Sequence, residues 1–193
     1  MRLIPTGRAI LLAAAALVLS TPAVSQTTPF FGNLLNDTPP SLPGPPCGTG
    51  QVNVSLSPST GITQGLSNFG NFVFTQQHCV TLPPTGYSGG TFSFDFTAGD
   101  RLFGSYAGTL APTGTPGLLS NTIAYTVTGG TGRFVDASGT IEGIGTLDLR
   151  VARPINAFAL SGNLTVSPIP EPQAALMLAT GLAAVSFVAR RRR

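Results

Sequence analysis

The sequence predicts an all-β domain, an eight-stranded antiparallel barrel, set between two terminal targeting segments. Three observations carry this. The mature part of the chain is rich in Gly, Thr, Ser, Phe and Asn and contains no lysine, a composition that strands and turns favour and helices do not. No stretch between 47 and 167 shows a helical apolar stripe; instead, short runs with a period of two residues alternate with turn residues. Finally, Gly104, Gly108, Gly143 and Gly145 interrupt otherwise good strands. Interior glycine weakens a strand unless it permits tight coiling or close approach, which suits a small closed barrel better than a flat sandwich.

The first segment, 1–25, reads as a signal peptide. Arg2 and Arg8 give a charged start, 9–19 is an unbroken apolar core, and Ala23-Val24-Ser25 supplies small residues for cleavage. That core has only about half of the ~20 residues that a membrane span requires. Residues 26–46 follow as a Pro-rich arm. Pro39, Pro40, Pro43, Pro45 and Pro46 force extended backbone there, and no strand is expected in it.

The barrel domain is expected over 47–167. Strands are expected over 51–57, where Val52, Val54 and Leu56 alternate, and over 69–80, where Phe72 and Phe74 share a face. The clearest is 91–97, with Phe92, Phe94 and Phe96 on one side and Ser93 and Asp95 on the other. Ala98-Gly99-Asp100 then turns the chain into 101–110 as a hairpin. Ile123, Tyr125 and Val127 define 122–128, and Gly129-Gly130-Thr131-Gly132 leads into a short strand over 133–135. Strands over 140–150 and 157–166 complete the set, about eight in all, as a sandwich or barrel requires.

Cys47 and Cys79 are the only cysteines. In an exported domain such a pair is expected as a disulfide. Closing a loop of about 33 residues would stabilise the fold by roughly 3–4 kcal/mol on the chain-entropy argument. The alternatives are a reactive thiol or metal ligation, and for a metal only His78 lies nearby, without a fourth ligand.

The last segment, 168–193, has three parts: Pro170-Glu171-Pro172, an apolar run over 174–189 expected as a transmembrane helix, and Arg190, Arg191, Arg192 and Arg193. Arginine is costly in hydrocarbon and is retained on the cytoplasmic side, so the cluster acts as a membrane stop. This arrangement resembles the PEP-CTERM sorting signal of bacterial exported proteins. The resemblance implies an exosortase-type processing enzyme as partner, a transient or permanent stay in the inner membrane, and a destination at the cell surface or outside the cell. A second resemblance covers about 50–166. Tyr125-Thr126-Val127-Thr128-Gly129-Gly130-Thr131-Gly132-Arg133-Phe134, Ala137-Ser138-Gly139-Thr140 and Gly143-Ile144-Gly145 look like the allene oxide cyclase and dirigent-type barrel. That resemblance implies fold and not activity, because the glycine-rich turn is architectural in the family.

The basic character of the whole chain lies in its ends. The span 27–172 keeps Arg101, Arg133, Arg150 and Arg153 against seven acids, a net charge of about −3. Nucleic acid, which needs clustered cations, is therefore not an expected partner.

Chemistry-bearing residues are few. Gly86-Tyr87-Ser88-Gly89-Gly90 matches a nucleophile elbow, but an elbow needs a helix after it, and a glycine loop is expected instead. His78, the only histidine, is the one ordinary base for neutral pH; beside a half-cystine on a strand it reads as structural. Asp95, Asp100, Asp136, Glu142 and Asp148 are scattered, which fits neither a paired-carboxylate site nor a calcium loop. No cofactor, metal or catalytic residue is expected. The aromatic side chains Phe72, Phe74, Phe92, Phe94, Phe96 and Tyr125 fill the interior by default. The expectation is a structural exported protein, of the surface or the extracellular matrix. A barrel binding a small molecule or an exopolysaccharide, or a cyclase-type enzyme, would instead show an unfilled cavity with polar groups converging on it.

Overall fold

A computed structural model describes residues 25–39, 42–43, 45–81, 85–167, 178–183 and 190. Ten strands form: β1 (Gln26–Asp37), β2 (Leu42–Pro43), β3 (Gln51–Leu56), β4 (Thr63–Ser67), β5 (Gly70–Thr81), β6 (Gly86–Phe96), β7 (Arg101–Pro112), β8 (Leu118–Thr131), β9 (Ser138–Asp148) and β10 (Ile155–Val166). Eight of them close a circuit, β5–β4–β1–β10–β9–β8–β7–β6 and back to β5. Every pairing is antiparallel. The predicted eight-stranded antiparallel barrel is therefore what the chain forms.

One edge of β5 is shared. β4 pairs with its first part, through Gln64↔Val73, and β3 with its second, from Leu56↔Gln76 to Gln51↔Thr81. β2 adds a short pairing to β3. The bridge between Cys47 and Cys79, with Cα atoms 5.6 Å apart, ties the segment before β3 to β5.

Two expectations are corrected here. The Pro-rich arm assigned to 26–46 contains β1, which pairs with β10 along its whole length, from Gln26↔Val166 to Asp37↔Ile155. The prolines cluster after residue 38, so the twelve residues before them carry only Pro29 and can join a ladder. Of the arm's apolar residues expected to pack on the body, Phe30 and Leu34 bury inside the barrel as part of this strand, while Phe31 and Leu35 face outward. The second correction concerns 133–135, where a 3-10 helix, Gly132–Phe134, replaces the expected strand. Gly132 has φ 62°, a left-handed value that ends the ladder.

Period two governs the walls. Phe72 and Phe74 on β5, Phe92, Phe94 and Phe96 on β6, Tyr106 on β7 and Tyr125 on β8 are all buried in one cluster. Ser93 and Asp95 lie on the outer face, as expected, and Asp95 pairs with Arg101 there. The 97–100 turn closes the expected hairpin, with Asp95↔Arg101 as its last pair.

The signal peptide as far as 24, the Pro170-Glu171-Pro172 motif and Arg191, Arg192 and Arg193 lie outside the described residues. Of the expected transmembrane helix over 174–189, residues 178–183 are described and are helical, as is Arg190. Among the described residues, no helix is long and apolar enough to cross a membrane.

Candidate functional site

The two ends of the barrel differ. At the end where β5 begins and β6 stops, Phe69, Phe96 and Phe134 close the interior with ring contacts of 5.0–5.3 Å. Arg133 seals this end. Its guanidinium carbon lies 5.0 Å from the Phe134 ring centre and 5.4 Å from that of Phe96. Its Nη2 donates to the Phe69 carbonyl at 2.6 Å, and its Nε sits 2.8 Å from Asp100 Oδ2. The glycine-rich turn makes room for this: a Cβ on Gly132 would stand 1.9 Å from Asp100 Oδ1.

At the opposite end the interior is not filled. A cavity of about 190 Å³ remains, walled by residues of β1, β3, β5, β6, β7, β8, β9 and β10. Apolar side chains such as Val54, Val80, Ile123 and Phe158 form much of its surface. A hollow of about 710 Å³ against β1, β4, β5 and β10 is larger. It is an open groove on the outer wall, where Leu35, Leu66 and Val73 are exposed, and it holds no titratable group.

Polar side chains of the inner cavity form two hydrogen-bonded strings. In the first, Tyr87 Oη donates to Asn121 Oδ1 at 2.9 Å, and Asn121 Nδ2 donates to Asn156 Oδ1 at 2.9 Å. Asn156 Nδ2 then reaches Asn36 Oδ1 at 3.1 Å and Thr38 Oγ1 at 3.3 Å. In the second, His78 Nδ1 and Tyr106 Oη lie 2.5 Å apart, and Tyr106 Oη donates to Gln76 Oε1 at 3.2 Å. The strings meet where the His78 ring stacks on Tyr87, centroids 4.5 Å apart.

Local sequence builds this end in two ways. Gln76, His78, Asn121, Asn156 and Asn36 each occupy the inward phase of a strand whose other inward residues are apolar. Each tyrosine also faces a glycine across the ladder: Tyr87↔Gly108 and Gly90↔Tyr106. A Cβ on Gly108 would meet the Tyr87 hydroxyl at 2.4 Å, and one on Gly90 would meet the Tyr106 ring at 2.6 Å. The rings lie where those side chains would be. The segment expected as a glycine loop, 86–90, is thus the start of β6, with a bulge between Tyr87 and Gly90. Gly89 at φ 65° permits the bulge, which re-aims Tyr87.

Burial sets the charge state. It pushes the His78 imidazole down to about 4, so the ring is neutral at pH 7. Burial likewise raises the phenols of Tyr87, Tyr106 and Tyr125, keeping them protonated. Among the described residues, no charged side chain lines the cavity. The charges nearby are paired with one another: Arg153 with Asp37 at 2.8 Å, and Arg150 with Asp148 at 2.7 Å.

The other residues singled out in the sequence do not converge. Arg133 and Asp100 belong to the sealed end, Asp95 and Glu142 to the outer wall. Asp136 takes a left-handed turn conformation at φ 58°. Among the described residues no group of His, Cys, Asp or Glu could hold a metal ion. Sequence reasoning singled out His78, and Tyr87 only within the 86–90 motif, but not Gln76, Tyr106, Asn121 or Asn156.

No protein family matches this chain, and neither a curated protein nor a solved structure is significantly similar to it.

Proposed function

We propose that this is an exported protein whose barrel holds a small neutral molecule at its polar end. The observation that carries the reading is the 190 Å³ cavity, into which polar groups project from an otherwise apolar wall. Concave, mostly apolar sites with a few placed polar groups are the usual form of a ligand pocket. A purely architectural barrel would gain by filling this space, since interiors pack to crystal density. The volume falls below the ~300 Å³ at which drug-sized ligands begin to fit, so the occupant is small. Binding is also favoured over a cyclase-type reaction. A general base works best with its pKa near the working pH, and His78 at about 4 lies well below it.

The test is a screen of small neutral compounds by ligand-observed NMR, against the protein and its Val54→Phe variant. Val54 is buried on the cavity wall, and a larger ring there should abolish binding while the fold persists. Hits that bind both proteins equally would refute the assignment of this cavity.

Export and sorting rest on the terminal motifs. Gln26 and Val166 are paired neighbours, and both leave the barrel at its sealed end. A chain held by its C-terminus therefore carries the cavity mouth at the far end, away from the attachment. Glu171→Ala should leave unprocessed protein in the inner membrane. Native mature protein that still contains Arg193, with no effect of this substitution, would replace sorting with a plain anchor.

A further inference from the structure

We infer that the cavity selects a small alcohol or phenol, the ligand's hydroxyl donating to Nε2 of His78. This inference rests on the binding reading above and adds the ligand's chemistry.

Tyr106 has one hydroxyl proton, and Gln76 Oε1, 3.2 Å away, can only accept it. The Tyr106 oxygen therefore turns a lone pair to His78 Nδ1 at 2.5 Å, and that nitrogen must carry the ring's hydrogen. A neutral imidazole has one N–H, so Nε2 is a bare acceptor. This tautomer is assigned from the hydrogen-bond pattern.

Nε2 sits on the ring edge away from Nδ1, and His78 lines the cavity whereas Tyr106 does not. The residue is only 8% exposed, yet none of the described residues donates to Nε2. Nor is Nε2 among the buried polar atoms sealed without a partner. Nε2 is thus reachable from outside the ring contacts, and a ligand group that replaces water there holds its place only if it donates a hydrogen bond. The neighbouring tyrosine does not supply the missing proton, because Tyr87 commits its own to Asn121. Among the described residues, His78 Nε2 is therefore an acceptor without a donor, while Gln76 Nε2 and Asn36 Nδ2 on the same lining are amide donors that a ligand hydroxyl oxygen can accept from.

Charge and size narrow the class. With no charged residue among the described lining residues, a cation or an anion would be desolvated without a counter-charge. A cavity of ~150 Å³ accepts a benzene ring, so about 190 Å³ accommodates a single ring bearing a hydroxyl.

Phenol and toluene make the test, being alike in shape and different in the O–H. Phenol should bind about tenfold tighter than toluene, the worth of one net hydrogen bond. His78→Phe should erase that preference while retaining toluene. The chain has a single histidine, so nitrogen-15 NMR of the imidazole reports on this site alone and needs no variant. Nδ1 should be the protonated nitrogen, and phenol, not toluene, should shift Nε2. Equal binding of phenol and toluene would overturn the hydroxyl inference and leave the binding barrel standing. A ring protonated at Nε2 would do the same. Binding of neither probe, nor of any neutral compound in the screen, would overturn both.

Discussion

The two ends of this barrel are built by the same strands and solve opposite problems. At one end the inward positions are mostly aromatic or aliphatic, with Ser67 the buried polar residue among the described ones, and Phe69, Phe96 and Phe134 pack together under Arg133. At the other, the same inward phase of β1, β5, β8 and β10 changes to Asn36, Gln76, His78, Asn121 and Asn156. Dispersion and apolar burial hold the first end. At the second, each buried amide must find a partner, and two directional strings meet that need. Such strings tolerate a gap between them, whereas packed rings do not. Aromatic packing is concentrated at the sealed end, and hydrogen-bonding side chains at the open one.

Phe94→Ala should have the largest effect. Phe94 is fully buried and contacts the rings of Phe72, Phe74, Phe92 and Tyr125 at 4.6–5.5 Å. Its truncation should cost about 3–5 kcal/mol in chemical denaturation. A loss under about 1 kcal/mol would mean that the aromatic half does not carry the fold. Next in size is the bridge between Cys47 and Cys79. Native mass analysis should show it intact, and replacing both cysteines with serine should cost roughly 3 kcal/mol. Two freely alkylated thiols in the purified protein would refute it.

The open end should respond to pH instead. His78 is held near 4 in the fold against 6.5 in the unfolded chain. Below pH 6.5 the unfolded state takes up a proton that the folded state refuses. The stabilising contribution is therefore complete above pH 6.5 and is lost as pH falls towards 4. Between pH 7 and pH 5 the protein should lose about 2 kcal/mol, and His78→Gln should remove that dependence. An unchanged pH profile in the variant would show that His78 is not the responsible group. Tyr87→Phe removes the hydroxyl that caps the Asn121–Asn156 string and should cost about 1 kcal/mol. The smallest effect belongs to the outer wall. Asp95→Ala loses an exposed pair with Arg101 and a hydrogen bond from Ser93, and should fall within about 0.5 kcal/mol. A larger loss there would contradict the division into inner function and outer solvation.

Much of the barrel was legible because strands announce themselves by period. Phe92, Phe94 and Phe96 left no doubt about phase, and a slip of one residue would have exposed all three. β1 was hidden by the prolines that follow it, and β4 by its five-residue length. The site was legible in part. Gln76 and His78 continue the phase of Phe72 and Phe74; Asn121 opens the phase of Ile123 and Tyr125; Asn156 opens that of Phe158. Polar residues on an apolar phase were the available signal. Read strand by strand, however, each looks like a frayed end.

The amino-acid order alone was enough for the all-β character, the inward faces, the bridged cysteines and the β6–β7 hairpin, because each depends on local period or on a single pair. Tertiary structure alone decided that Asn36, Gln76, His78, Asn121 and Asn156 fall at one end, since this depends on strand direction and register around a closed circuit. It also decided that β1 completes the wall, and that Gly90 and Gly108 stand opposite Tyr106 and Tyr87. Contacts between residues dozens of positions apart, such as Tyr87 with Asn121 and Asn156 with Asn36, leave no mark on local pattern. They arise only when closure of the barrel sets the strands side by side.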